Sequence, residues 1–268
     1  MRIGVFDSGL GGLTILKELI KELPHHDYIY LGDNARSPYG DRSFEDITAF
    51  TRQGVDFLIS KQCEVVIIAC NSASAVALPG LVDEYTKKGI LIQGVIEPMI
   101  DYLIKQYPQT KGRTFRVGLI ATRATVHSAS YERALKKRHI TNIKITSQAC
   151  PLLVPLIEEG FSRTTAARMI VQSYLRPLKA LKIQSLLLAC THYPLIIKLI
   201  QSLLGSKTQV IHPGIATAQW LAHAISKNNV AKKEGMTIYT TGDPKRFSEI
   251  AARFWKTPIT AHHVEIKK

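Results

Sequence analysis

VIIACNSASA, residues 66–75, opens as an apolar run and stops abruptly at Cys70-Asn71-Ser72. LLLACTHYPL, residues 186–195, repeats the design and stops at Cys190-Thr191-His192. A short apolar run bounded by polar residues reads as a strand buried on both faces, as in a parallel sheet. The polar residues then mark its carboxyl end, where a helix begins. Ligands in open parallel sheets bind beyond those ends. The two cysteines are therefore expected at a site, each followed by two hydrogen-bonding side chains.

The neighbouring segments follow the same grammar. IGVF (3–6) reads as a strand, DSGLGG (7–12) as a tight loop and LTILKELIKEL as an amphipathic helix. IYLGD (29–33) is a second strand and RSPYG (36–40) a turn. Residues 43–60 suit a helix capped by Ser43, with Asp46 completing an imperfect capping box. Pro79 is expected to break or kink the helix after Cys70. RVGLIATRATV (116–126) reads as strand and loop, SASYERALKKR as helix, and KITSQAC as strand before a short Pro-rich helix or loop. Helix, strand (SLLLAC) and helix follow. A helix from Ile215, the strand TIYTTGD and a terminal helix complete the chain. Strand and helix alternate throughout, so the fold class is α/β with mainly parallel sheets flanked by helices. RIGVFDSGLGG and RVGLIATRATV echo each other, as do VIIACNS and LLLACTH, at offsets of 114 and 120 residues. Two similar lobes, each giving one cysteine, explain both echoes.

The 268 residues carry a net charge of +14. Such a charge raises nucleic acid as a partner. The basic residues are dispersed, however, with only short groups such as Lys136-Lys137-Arg138 and Lys267-Lys268. A basic surface that draws in anionic substrates is the better reading. No apolar run is long enough to span a membrane, and the chain enters a strand at once, so a cytoplasmic location is expected. The four cysteines form no CxxC pair, which argues against zinc ribbons and dithiol redox chemistry.

A helix N-terminus favours a thiolate, so Cys70 and Cys190 are candidate reactive thiols. Cys63 and Cys150 lack that context and read as structural. DSGLGG is a poor phosphate loop, because Asp7 would repel the phosphate. The carboxylate suits an ammonium ligand or a protonated base, with Ser8 and the glycine N–H groups left to approach a carboxylate. His192 lies beside Cys190, and Glu158 is a candidate base or His partner. Asp33, Asn34 and Arg36 read as loop caps and surface charge.

These residues together resemble the glutamate racemase family. FDSGLGG (6–12), YLGDNARSPYG (30–40), ACNSAS (69–74), GVIEP (94–98), ACPLLVPLIEEG (149–160) and ACTHYPL (189–195) carry the resemblance. The resemblance implies two α/β lobes, residues 1–97 with 212–268 and residues 98–211, and an active site in the cleft between them. It implies Cys70 and Cys190 as the catalytic pair, Asp7 assisting Cys70, and His192 with Glu158 assisting Cys190. Substrate contacts would be Asp7, Ser8, Tyr39, Gly40, Asn71, Ser72, Thr191 and His192. Neither metal nor pyridoxal phosphate is implied. The resemblance leaves open a homodimer and a nucleotide-linked cell-wall precursor as activator. Ser72 stands where Thr is usual, Ala121 and Met99 where Gly is usual, and His212-Pro213 where an Asp-Ser pair is common. The competing readings are a racemase of aspartate or another amino acid, a cysteine hydrolase using His192 as base, and a nucleic-acid binder.

Overall fold

A computed structural model describes residues 1–109, 112–225, 235–255 and 257–266. The Lys267-Lys268 pair lies outside them. From the N-terminus, β1 (Arg2–Asp7) leads through the DSGLGG loop to α1 (Leu13–Glu22), followed by β2 (Asp27–Gly32). Helix α2 (Phe44–Ser60) starts where the Ser43 side chain accepts the Asp46 N–H at 3.0 Å. Strand β3 (Val65–Ile68) precedes α3 (Asn71–Val76) and α4 (Leu78–Lys87). The break between these two helices falls at Ala77, and Pro79 occupies the first turn of α4, where its missing N–H costs nothing. Strand β4 (Leu91–Gly94) and α5 (Ile96–Gln106) complete the first run.

The second run begins with β5 (Phe115–Ala121). The segment expected to be a loop after it contains α6 (Arg123–Ser128), because the Thr122 side chain caps it by accepting the Thr125 N–H. Helix α7 (Ser130–Lys137), β6 (Ile143–Ala149), α8 (Leu153–Glu158), α9 (Thr165–Ala180), β7 (Ser185–Ala189), α10 (Ile197–Leu204) and β8 (Gln209–Ile211) follow. Helix α11 (Pro213–Ala224) starts two residues before the expected Ile215. His212 caps it by accepting the Gly214 N–H at 2.8 Å. Strand β9 (Gly235–Thr240), α12 (Pro244–Ala251) and an unforeseen strand β10 (Ala261–His263) end the chain.

The strands form two sheets, ordered β10-β9-β2-β1-β3-β4 and β6-β5-β7-β8. Every strand pairing among the described residues is parallel. Four consecutive strands of the first sheet, β2-β1-β3-β4, thus share their order with the whole second sheet. Strands β1 and β5 correspond, as do β3 and β7. The echo in the sequence is a repeat of topology. The carboxyl-terminal strands β9 and β10 extend the first sheet beside β2.

Each sheet is buried on both faces. Ile3 and Val5 of β1 pack with α1 and α11, while Phe6 packs with Val55 and Leu58 of α2. Leu186 and Leu188 of β7 face α9 and α10, and Leu187 faces the α5 and α7 side. Cys63 and Cys150 sit buried in these cores, and burial pushes both thiols up. Arg138 is paired with Glu97 and Asp101, so part of the basic group at the end of α7 is neutralised locally. Among the described residues no helix is long and apolar enough to cross a membrane.

Helix α2 reaches β1 closely because residue 54 is glycine. A Cβ there would lie 2.3 Å from Cε2 of the buried Phe6 ring. Gly54→Ala gains helix propensity but forces the ring or helix to move. It should destabilise the fold by about 2 kcal/mol, a drop in Tm of about 4–8 °C by thermal circular dichroism. An unchanged or raised Tm would show that α2 can shift without loss.

Candidate active site

Cys70 follows β3 and Cys190 follows β7, so the matching ends of two sheets deliver the two thiols. Both line one cavity of about 20 Å³, together with Ser8, Ser37, Pro38, Tyr39, Gly40, Asn71, Ser72, Thr122, Val154, Thr191 and His192. The expected contacts Ser8, Tyr39, Gly40, Asn71, Ser72, Thr191 and His192 are therefore brought together. Asp7 and Glu158 are not on the wall.

Asp7 ends β1 and is fully buried. Its Oδ1 accepts the Gly9 N–H at 3.0 Å, and its Oδ2 accepts the Thr191 hydroxyl at 3.2 Å. The Gly12 N–H also bonds this carboxylate. Burial raises its pKa, against the opposing pull of His192 and these donors. The carboxylate is held by its own loop and by Thr191, and it faces the charge of His192. Two glycines of the loop lie under close contacts. A Cβ on Gly11 would fall 2.4 Å from His192 Nδ1, and one on Gly12 would fall 2.5 Å from the Asp7 Cβ. They permit these protein segments to pack against each other. Thr14, in α1, adds a second tie by donating to the Thr191 carbonyl at 2.9 Å.

Cys70 is the N-cap residue of α3. Its Sγ donates to Ser8 Oγ at 3.4 Å. The helix was expected to favour thiolate here. Burial instead pushes the thiol up to about 12, helped by the negative Asp7, and outweighs the Ser8 and Ala73 donors. A helix of 6 residues supplies too little dipole to reverse that.

Cys190 has different company. Its Sγ lies 4.0 Å from His192 Nδ1, and His192 Nε2 lies 2.8 Å from Glu158 Oε1. Burial alone would lower the His192 pKa. The hydrogen bonds and charges of Cys190 and Glu158 overcome it and raise the imidazole to about 10. Glu158 ends α8, and its bond to His192 holds the carboxyl below the usual range despite burial. At neutral pH the pair is an imidazolium and a carboxylate, with Nδ1–H directed at sulfur.

The loop 37–40 closes another side. Tyr39 donates to Asp33, which also accepts from Arg36 at 2.7 Å and from Thr241 at 2.8 Å. Asp33 was read as a surface cap; it is fully buried and anchors this wall. A Cβ on Gly40 would meet the Thr122 Cβ at 2.5 Å. Ser72 Oγ lies 2.9 Å from Thr122 Oγ1, and Tyr131 in α7 donates to Asn71 Oδ1 at 2.7 Å. Ser37, Pro38, Thr122, Val154 and Tyr131 were not singled out in the sequence. Thr122 was within reach, since the offset of 114 residues pairs it with Ser8. Among the described residues no group of His, Cys, Asp or Glu could hold a metal ion.

With this geometry established, known proteins supply the comparison. The chain matches the Asp/Glu/Hydantoin racemase family over residues 7–221. It is 40% identical to a glutamate racemase of Enterococcus faecalis, covering 93% of this chain and 90% of that protein. The structure is similar to that of a glutamate racemase isoform from Bacillus anthracis, with TM-score 0.90 and 35% identity over 99% of this chain and 97% of that one. It is also similar to a glutamate racemase of Francisella tularensis solved in complex with D-glutamate. There the TM-score is 0.87 and the identity 35%, over the same shares of each chain.

The His192–Glu158 pair makes stability depend on pH. The His192 contribution is complete below its ordinary value of 6.5 and is lost as pH rises through about 10. Glu158→Gln should cost about 2 kcal/mol at pH 6.5. The gap in Tm between the native protein and the variant should shrink steadily toward pH 10. A gap that stays constant from pH 6.5 to 10 would mean that His192 does not titrate with this partner.

Proposed function

The chain belongs to the glutamate racemases of the Asp/Glu/hydantoin racemase family, and on that premise we propose that it interconverts L- and D-glutamate with two cysteines and no cofactor. The observation that carries this reading is the shared cavity. Cys70 and Cys190 reach it from equivalent strand ends of two sheets. We read those sheets as lobes, 1–97 with 212–268 and 98–211.

Inversion at Cα needs one proton taken from one face and another delivered to the opposite face. A single base tends to return the proton where it came from. Two sulfurs on opposite sides avoid this. In one direction the Cys70 thiolate removes the Cα proton and the Cys190 thiol supplies one. In the other direction the roles reverse. Cys70 rests as a thiol because its charge is costly when buried; as the substrate ammonium enters and offsets that cost, the thiol proton passes to the Asp7 carboxylate, whose pKa burial raises. Ser8 then turns its hydroxyl to donate to the thiolate. On the other side, His192 holds a proton for Cys190, and Glu158 keeps it charged. Asp7 thus holds the Cys70 proton and shapes the loop that presents Ser8.

The Cα–H of an amino acid is a very weak acid, so the carbanion needs preorganised donors and little water. Ser8, Asn71, Ser72 and Thr191 supply the donors. The tight, buried cavity excludes the water. D-glutamate made in this way would serve cytoplasmic peptidoglycan synthesis.

Cys70→Ser and Cys190→Ser should each lower L-to-D conversion at least 1,000-fold, by analogy with the loss of one member of a catalytic pair, while the far-UV spectrum is kept. Circular dichroism of L-glutamate with purified protein and no added cofactor follows the reaction. Turnover in D₂O should place deuterium at Cα. Full racemisation by either variant sinks the two-thiol mechanism. Faster turnover of aspartate in a chiral chromatography panel would replace glutamate as the substrate.

A further inference from the structure

Asn71 is the first residue of α3, directly after Cys70, and lines the cavity. It is 2% exposed. Its Oδ1 accepts the Tyr131 hydroxyl at 2.7 Å, while its Nδ2 is buried with no partner among the described residues. A buried amide N–H left without an acceptor is costly, and because Asn71 lines the cavity, a ligand there can complete it.

Tyr131 comes from α7, beside the other sheet, and is 1% exposed. An amide can turn over, exchanging its oxygen and nitrogen. The phenol decides which way it sits. If Tyr131 accepted from Nδ2, both its own O–H and the amide oxygen would lack partners among the described residues. Donating to Oδ1 leaves one group unpaired instead of two. Burial, with the charges of Glu132 and Cys190, holds the phenol protonated, so it is a donor throughout the working range.

Resting on the glutamate reading, we infer that Tyr131 is a positioning residue. Its hydroxyl locks the Asn71 amide across the two sheets so that Nδ2 donates to a substrate carboxylate. A neutral N–H donor suits a carboxylate and offers nothing to an ammonium group. The bond is made to the bound substrate and strengthens as charge develops on the reacting carboxylate, so its loss appears in kcat/KM.

The test is racemase kinetics in both directions for the native protein, Tyr131→Phe, Asn71→Ala and the double variant. Tyr131→Phe removes one oxygen and should lower kcat/KM for both enantiomers about tenfold. In the Asn71→Ala background the same change should cost less than about twofold more, because the amide it positions is gone. A Tyr131→Phe kcat/KM within twofold of the native value overturns the inference. So does an equal tenfold loss in the Asn71→Ala background, which a purely structural tyrosine would give. If Tyr131→Phe lacks a cooperative melt, Asn71→Ala alone carries the test, and an unchanged kcat/KM there overturns it. A native protein that turns over no glutamate sinks the substrate reading instead, an outcome visible before any variant is compared.

Discussion

The buried carboxylate of Asp7 sets the terms for everything around it. A charge removed from water costs several kcal/mol unless it is hydrogen-bonded. Asp7 meets that demand with two N–H groups of its own loop and with the Thr191 hydroxyl from beyond β7. The first pair of bonds folds residues 7–12 into a tight loop and presents Ser8 to Cys70. The third ties that loop to the segment bearing Cys190 and His192. Gly11 lets the two segments touch, since any side chain there would strike the imidazole. One ion thus fixes the distance between two loops that belong to different sheets. Its negative field also reaches the Cys70 thiol and keeps it protonated.

The two halves share a scaffold and differ in their protons. The strand order of one sheet recurs in the other, and each cysteine follows the equivalent strand. Ser8 and Thr122 occupy equivalent places after β1 and β5. The partners diverge from there. Cys70 has a neutral hydroxyl at 3.4 Å, whereas Cys190 faces an imidazole backed by a carboxylate. The substrate enantiomers are mirror images, but the protein around them is not. On the two-thiol reading, proton transfer on each face must be tuned separately, and these unlike partners supply the means.

Much of the architecture was legible because hydrophobic period and turn chemistry are local signals. The apolar runs ending in Cys70 and Cys190 announced buried parallel strands, and Ser43 announced a helix. What escaped depends on contacts distant in sequence. Thr122 was assigned to a loop because a cap of a 6-residue helix leaves no periodic trace. Strand β10 has 3 residues, two of them exposed histidines, so no alternation marks it. Tyr131 looked like one more residue of an amphipathic helix; its role is set by Asn71, 60 residues away. The expected thiolate at Cys70 failed because burial, a property of the whole fold, outweighs a short helix dipole. Asp33 was misread for the same reason, being a loop residue that the fold encloses.

The cavity between the two sulfurs has room for about one water molecule. An amino acid cannot pass into so small an enclosure while Ser72 meets Thr122, Asn71 meets Tyr131 and Asp41 clasps Arg123 at 2.8 Å on the rim. Substrate entry therefore requires an unlatching, and these cross-links are what has to let go. Where that breathing is slower than the proton transfers, it sets the ceiling on throughput.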